Sequence, residues 1–162
     1  MMSNIIDLNT PEISLKREYN KRVKEVMDGF HPRIPAGQYE SVMTGWYTAN
    51  ILGTPKVVLL FTIIDFGEYQ NVIVPRFYAV KRLTSKQGLN GTFIAKPRGA
   101  FSDDYFKMRP TAPKLRKDQI PMTTLQNKPM LITVGDVTHS SDKKKEHLEQ
   151  QIYSVVREVR LL

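Results

Sequence analysis

The segment from Val74 to Arg82 places aromatic rings and cations side by side in a stretch rich in β-type residues. Rings that stack on bases and cations that contact phosphates are the means by which proteins hold nucleic-acid single strands. Pro75 cannot donate to a β-ladder, so we expect an edge position or a bulge there. The alternative is that Phe77 and Tyr78 alternate between core and surface without contacting a ligand.

Other aromatic and basic residues extend this candidate surface. Trp46 and Tyr47 are adjacent on a predicted strand, where neighbouring side chains point to opposite faces, so we expect one in the core and the other exposed. Lys56 and Tyr69 begin two further strands and are expected at the rim of the sheet. The predicted nucleic-acid-binding residues are Trp46, Tyr47, Lys56, Tyr69, Arg76, Phe77, Tyr78, Lys81, Arg82, Lys114, Arg116, Lys117, Lys143, Lys144 and Lys145.

The sequence offers little for catalysis. It has no cysteine, which removes disulfides, thiolate nucleophiles and thiolate metal sites. His31, His139 and His147 are the only histidines, and their spacing argues against zinc. The adjacent acids Asp103 and Asp104 are explained by the first turn of a helix, and no phosphate-binding glycine loop or catalytic serine motif occurs. We therefore expect no enzyme, no metal and no cofactor.

The positive charge is concentrated in one part of the chain. The net charge is +8, and residues 84–128 carry nine Lys or Arg against three Asp or Glu. A basic surface of this kind attracts polyanions, although the same charges can simply be solvated. The chain has no run of 18 apolar residues, and residues 1–7 do not resemble a signal peptide. We expect an intracellular protein without membrane contact.

Three β-type runs follow one another closely, at Gln38–Leu52, Lys56–Asp65 and Tyr69–Lys81. The connections between them are too short for a parallel crossover, so they predict an antiparallel meander. Gly45 interrupts the long first run, and an interior glycine is typical of a bulge. We expect the first strand to bend there and to serve two parts of one sheet.

The remaining elements surround this meander. Apolar residues at helical spacing from Leu15 to Phe30 predict an amphipathic helix of four to five turns, with Thr10 as N-cap and Asp28-Gly29 as the stop. It is either packed on the sheet or serves as a dimerisation or partner arm. A proline-rich linker completes an N-terminal arm, 1–35, before the main domain, 36–162. After the meander come a short helix from Ser102, as N-cap, to Met108, and two more strands. These strands are predicted at Met130–Thr138 and Ile152–Leu161, after a basic loop and a polar loop respectively.

This order of elements predicts a mainly β protein. Three antiparallel strands, a helical connection and two further strands form the layout of a five-stranded Greek-key barrel of the OB type, here with an additional N-terminal helix. Such barrels bind oligonucleotides on the face of strands 2 and 3 and through neighbouring loops.

Several segments also resemble a known family. The stretches Ile34–Glu40, Gly67–Tyr69, Val74–Leu83, Val137–His139 and Tyr153–Val156 resemble an uncharacterised family of small phage and integrative-mobile-element proteins. More distantly, they resemble phage proteins similar to OB-fold single-stranded DNA-binding proteins. The resemblance covers residues 34–160 and assigns no site residues. It implies a role in replication or recombination in the cytoplasm of a bacterial host.

Two functions follow as hypotheses. The first is a single-stranded nucleic-acid-binding protein, with DNA favoured over RNA, that acts alongside replication or recombination proteins. The second is a non-enzymatic protein-interaction or oligomeric structural module, with its aromatic residues in a homo-oligomeric or partner interface.

The basic loop gives the first testable prediction. Replacing Lys114, Arg116 and Lys117 by Ala should flatten the salt dependence of single-stranded DNA binding, because each phosphate contact contributes about −0.7 to the log–log slope. The measurement is an oligonucleotide titration at several salt concentrations. An unchanged slope would mean that these cations are only solvated.

Overall fold

The computed structural model describes residues 11–112, 120–138 and 152–162, with side chains from residue 15 onward. The basic loop residues Lys114, Arg116 and Lys117, the lysines 143–145 and the predicted N-cap Thr10 lie outside these ranges. The elements, in chain order, are helix α1 Pro11–Met27, strands β1 Gly37–Ile51, β2 Thr54–Ile63, β3 Ile73–Ala79, β4 Arg82–Leu83, β5 Gly88–Leu89 and β6 Phe93–Ile94, helix α2 Ala100–Met108, the 3-10 turn Met122–Leu125, and strands β7 Pro129–Val137 and β8 Tyr153–Leu161.

The main sheet is antiparallel and has the strand order β3-β2-β1-β7-β8, with the short β5 paired to β1. Strands β4 and β6 form a separate two-stranded ribbon. The edge strands β3 and β8 share no ladder, so backbone hydrogen bonds do not close the sheet into a barrel. The prediction of a mainly β protein with an antiparallel meander is therefore confirmed, whereas the predicted five-stranded barrel is not closed by backbone hydrogen bonds.

Strand β1 bends at the predicted glycine. Its register with β2 shifts between Met43 and Gly45, so Thr44 is the extra residue of a bulge. Its first part, up to Val42, pairs with β7, and the longer part pairs with β2. Because a shift of one residue exchanges the two faces of a strand, the bulge places Trp46 on the inner face and Tyr47 on the outer face.

The sheet carries an apolar core on each face. The inner core includes Phe61 and Ile132, which are fully buried beneath α2 and the connecting segments. On the outer face, Val23 and Val26 of α1 pack against a cluster that contains Tyr47. Helix α1 is therefore packed on the sheet, which is one of the two alternatives that its amphipathic pattern left open. None of the helices in the described ranges is long and apolar enough to cross a membrane.

The linker after α1 is attached to β8 by one serine. The Ser154 hydroxyl accepts a hydrogen bond from the Ile34 backbone N–H at 2.8 Å and donates to the Ile34 carbonyl at 3.2 Å. The Ser154 backbone N–H also donates to the Pro32 carbonyl at 2.8 Å. These bonds hold the linker, and with it the end of α1, beside the last strand.

Helix α2 begins earlier than the sequence predicts. It starts at Ala100, and its N-cap position is occupied by Gly99 without a side-chain cap. Ser102, predicted as the N-cap, is instead buried within the first turn. The serine pattern was misleading because Phe101 packs into the inner core and extends the helix toward its N-terminus.

A close contact between β1 and the segment after β5 gives the second prediction. A Cβ atom on Gly91 would lie 2.0 Å from Thr48 Oγ1 and 3.0 Å from Thr48 Cβ. Because the backbone and the buried threonine would have to move apart, Gly91→Ala should destabilise the fold by about 1–3 kcal/mol in chemical denaturation. Gly99→Ala is the control, since its nearest neighbour is 3.9 Å away. Equal stability of both variants would contradict this packing.

Candidate functional site

A groove of about 1140 Å³ lies between the end of α1, the linker after it, β3 and the start of β8. Its lining is rich in rings and cations, and among the described lining residues Glu25 is the one acid. The aromatic and basic lining residues are Arg22, Phe30, His31, Lys56, Arg76, Phe77, Tyr153 and Arg157.

Three of the rings contact one another along the groove. The His31 imidazole lies 4.6 Å from the Tyr153 ring at an interplanar angle of 32°, and 5.7 Å from the Phe77 ring at 87°. These side chains are half-buried, so their edges and faces are ordered by packing. Phe30, the residue before His31, is 73 % exposed. The groove therefore offers both ordered rings and one freely accessible ring.

Burial keeps the imidazole of His31 neutral. Its Nδ1 is buried and has no hydrogen-bond partner among the described residues. Removal from water disfavours the charged form and lowers the pKa of His31 below its ordinary value. At neutral pH the ring is thus an uncharged, flat surface within the aromatic cluster.

Arg76, on the floor of the groove, makes hydrogen bonds to residues of β3, α2 and β8. Its Nε donates to Asp104 Oδ2 and to the Tyr78 hydroxyl oxygen, both at 2.7 Å. Its Nη1 donates to the Val156 carbonyl at 2.8 Å. Arg76 thereby connects β3 with α2 and β8. Its Nη2 has no hydrogen-bond partner in the part of the chain that the structure describes, which leaves donors for a ligand.

Asp104 and Tyr78 complete this network beneath the groove. The Tyr78 hydroxyl donates to Asp104 Oδ2 at 2.6 Å. Burial raises the pKa of the Tyr78 phenol well above its ordinary value, so the hydroxyl keeps its proton and can donate. Asp104 as a whole is 3 % exposed, and its buried charge is tolerated because it is paired and hydrogen-bonded.

The structure corrects the assignment of three predicted stacking residues. Trp46, Tyr47 and Tyr78 are all buried, so none presents a ring to a ligand in this structure. Trp46 donates from its Nε1 to the Gly91 carbonyl at 3.0 Å. Tyr47 lies beneath α1, and its burial raises the phenol pKa to about 12, with a further contribution from Tyr153. The expectation of one exposed member in the Trp46 and Tyr47 pair is wrong because α1 covers the outer face.

The other predicted residues separate into three groups. Lys56, Arg76 and Phe77 line the groove. Lys81 and Arg82 are exposed, at and just before the β4–β6 ribbon. The last group is away from the groove or outside the described residues. It consists of Tyr69, which packs edge-on against Tyr39 at 6.2 Å, and of Lys114, Arg116, Lys117, Lys143, Lys144 and Lys145.

Sequence reasoning missed most of the groove. Phe30 and His31 form an adjacent aromatic pair directly after the end of the helix, and this pair was the available local signal. Nothing in the sequence near Arg22, Tyr153 or Arg157 marks them as neighbours. They meet because α1 packs on the outer face and the linker is attached to β8.

Neither the protein-family models nor the curated proteins include a match to this chain. Within the described residues, no group of three or more His, Asp or Glu side chains is arranged to hold a metal ion. The groove combines aromatic rings with cations, a chemistry that would suit a flexible anion with flat apolar groups.

The buried network gives the third prediction. Asp104→Ala would leave the Arg76 guanidinium without its carboxylate in a largely buried position and should cost about 3–5 kcal/mol of folding free energy. Asp103→Ala is the matched control, because its side chain is exposed on the same turn of α2 and should cost less than about 1 kcal/mol. Urea denaturation of both variants measures the difference. If both variants lose similar folding free energy, Asp104 contributes only as an acidic residue in the first turn of α2 and not through Arg76.

Proposed function

We propose that this protein binds single-stranded nucleic acid in the groove between α1, β3 and β8. The observation that carries the proposal is the composition of that groove: four rings and four cations surround one concave surface with a single acid among the described lining residues. Bases stack on rings of any of these types, and cations follow the phosphate backbone without sequence preference.

Two of the four groove cations, Arg157 and Lys56, form no ion pair with a described residue and so keep their charge for a phosphate. Arg157 donates from Nη2 to the Asp136 carbonyl at 2.8 Å and makes no ion pair with a described residue. The other two are ion-paired: Arg22 with Glu18, in addition to its bond to the Asn71 carbonyl, and Arg76 with Asp104. A guanidinium held by a neutral carbonyl is oriented without losing its charge, so it is prepared for a phosphate. Lys56 adds an ammonium group at the end of the groove.

The topology supports an OB-like architecture for this site. The order β3-β2-β1-β7-β8 is compatible with an OB barrel opened between its third and fifth long strands. Arg76 bridges this opening through its bond to the Val156 carbonyl. OB domains bind on the face of their second and third strands, and the groove uses β3 together with Lys56 of β2.

The resemblance to phage and mobile-element proteins adds a biological context to the proposal. A protein that holds single strands without reading their sequence suits the intermediates of replication and recombination. We therefore propose DNA as the natural ligand, with RNA as the comparison in each titration.

The fourth prediction compares two exposed phenylalanines. Phe30→Ala should weaken oligonucleotide binding by about 5- to 150-fold, since stacking contributes roughly 1–3 kcal/mol per base. Phe66→Ala is the matched control, because Phe66 is 97 % exposed but lies on the β2–β3 loop and does not line the groove. Neither change should lower the melting temperature appreciably, as both rings are largely in solvent.

Fluorescence anisotropy with a labelled oligonucleotide at low and moderate salt provides the measurement. Equal affinity of the Phe30 and Phe66 variants would argue against the groove as the binding surface. Absence of binding by the unmodified protein at low salt would reject the proposed function.

A second candidate function is a protein-interaction module. Phe66 and Leu52, at 97 % and 82 % exposure, are large apolar side chains at the two loops that flank β2. If Phe66→Ala changes the oligomeric mass in light scattering while oligonucleotide affinity is absent or unaffected by Phe30→Ala, this candidate replaces the first.

A further inference from the structure

A long acid-free stretch runs through β3 and the β4–β6 ribbon. Between Glu68 and Asp103 the chain contains no Asp or Glu. Arg76, described above, belongs to the groove. The other cations of this stretch are all exposed: Lys81, Arg82, Lys86, Lys96 and Arg98.

The ribbon gathers three of these cations in a small area. Arg82 is paired with Ile94, and the Lys81 N–H donates to the Ile94 carbonyl at 2.9 Å. Lys96 follows Ile94 by two residues, just beyond the end of the partner strand. Because Arg82 is paired with Ile94, the three cations Lys81, Arg82 and Lys96 all lie within two residues of one cross-strand pair, and their charges act on the same local region. None of them forms an ion pair or a side-chain hydrogen bond with a described residue.

The ribbon is held firmly enough to keep these charges together. Val80, Phe93 and Ala95 are buried in the inner core, next to the cations in the sequence. The Thr84 and Thr92 hydroxyls hydrogen-bond across the ribbon at 2.8 Å. Like charges held near one another repel, and a polyanion laid along them removes that repulsion.

The ribbon continues the basic surface of the groove. Lys56, at the end of the groove, is paired with Ala79, and the Val80 N–H donates to the Pro55 carbonyl at 3.0 Å. Lys81 is two residues beyond Ala79, the last residue of β3, so their backbones are at most about 7 Å apart. A chain of phosphates can therefore pass from Lys56 to the ribbon without crossing an acidic residue of this segment.

We infer that the β4–β6 ribbon is the second part of one phosphate-binding track, so that a single strand held in the groove extends over Lys81, Arg82 and Lys96. This inference rests on the proposed function and specifies its ligand. The protein should take strands longer than the groove alone accommodates. Contacts between the strand and the ribbon should be electrostatic, because the described ribbon has no exposed aromatic ring on which a base could stack.

The test is a length comparison. The triple variant Lys81→Gln, Arg82→Gln, Lys96→Gln is titrated with single-stranded DNA of about 6 and about 16 nucleotides, which span the usual site sizes of OB domains. The ribbon variant should bind the short strand as the unmodified protein does. With the long strand, its salt slope should become shallower by about 2, from three lost phosphate contacts.

Two further variants separate the explanations. Lys16→Gln, Arg17→Gln, Lys24→Gln removes the same charge from exposed positions of α1 outside the groove and should leave both titrations nearly unchanged. Phe30→Ala should weaken the binding of both strands. An equal loss in the α1 variant would show that only net charge matters and would overturn the ribbon track.

The remaining outcomes also decide between the two claims. If the ribbon variant binds both lengths as the unmodified protein does, the ribbon inference is wrong while the groove proposal stands. If the ribbon variant loses affinity equally for both lengths, the ribbon is part of the primary site and not an extension of it. If the unmodified protein binds neither strand, the proposed function fails and the ribbon track fails with it.

Discussion

One guanidinium joins parts of this protein that no backbone ladder joins. Arg76 projects from β3 to Asp104 of α2 and to the Val156 carbonyl of β8, the two elements that face the open edge of the sheet. Side-chain hydrogen bonds thus take the place that ladder bonds occupy in a closed barrel. The buried carboxylate of Asp104 fixes the positions of Arg76 and Tyr78, because a buried charge is stable where its cation and its hydroxyl donor are both present. The floor of the groove is built on these hydrogen bonds.

Helix α1 determines what the outer face of the sheet can do. By covering Tyr47, it removes a ring that would otherwise be available to a ligand, and it also places Arg22 and Phe30 at the edge of the groove. Ser154 then fixes the linker, so that His31 lies between Phe77 and Tyr153. An element that seems separable in the sequence is therefore part of the site.

In the proposed function, the groove provides base stacking and the ribbon provides contacts to phosphates. The groove contains rings ordered by mutual packing, so little side-chain entropy is lost when a base stacks there. The ribbon contains exposed cations on a backbone fixed by buried neighbours, and its contribution is expected to weaken with salt. Together they describe a site whose affinity combines an apolar contribution, largely independent of salt, with an electrostatic contribution that grows with the length of the ligand.

Local sequence rules determined the strands and their neighbours. Short turns predicted the meander, Gly45 predicted the bulge, and the two late β runs predicted the last two strands, because each depends on residues a few positions apart. Tertiary structure alone decided which side chains are accessible. Alternation correctly separated Trp46 from Tyr47 but could not reveal that α1 covers the second face. The adjacent acids Asp103 and Asp104 looked equivalent in the sequence, yet one is solvated and the other is paired with Arg76, 28 residues away. Burial and pairing of this kind depend on which distant element packs over a residue, and a local pattern contains no information about that.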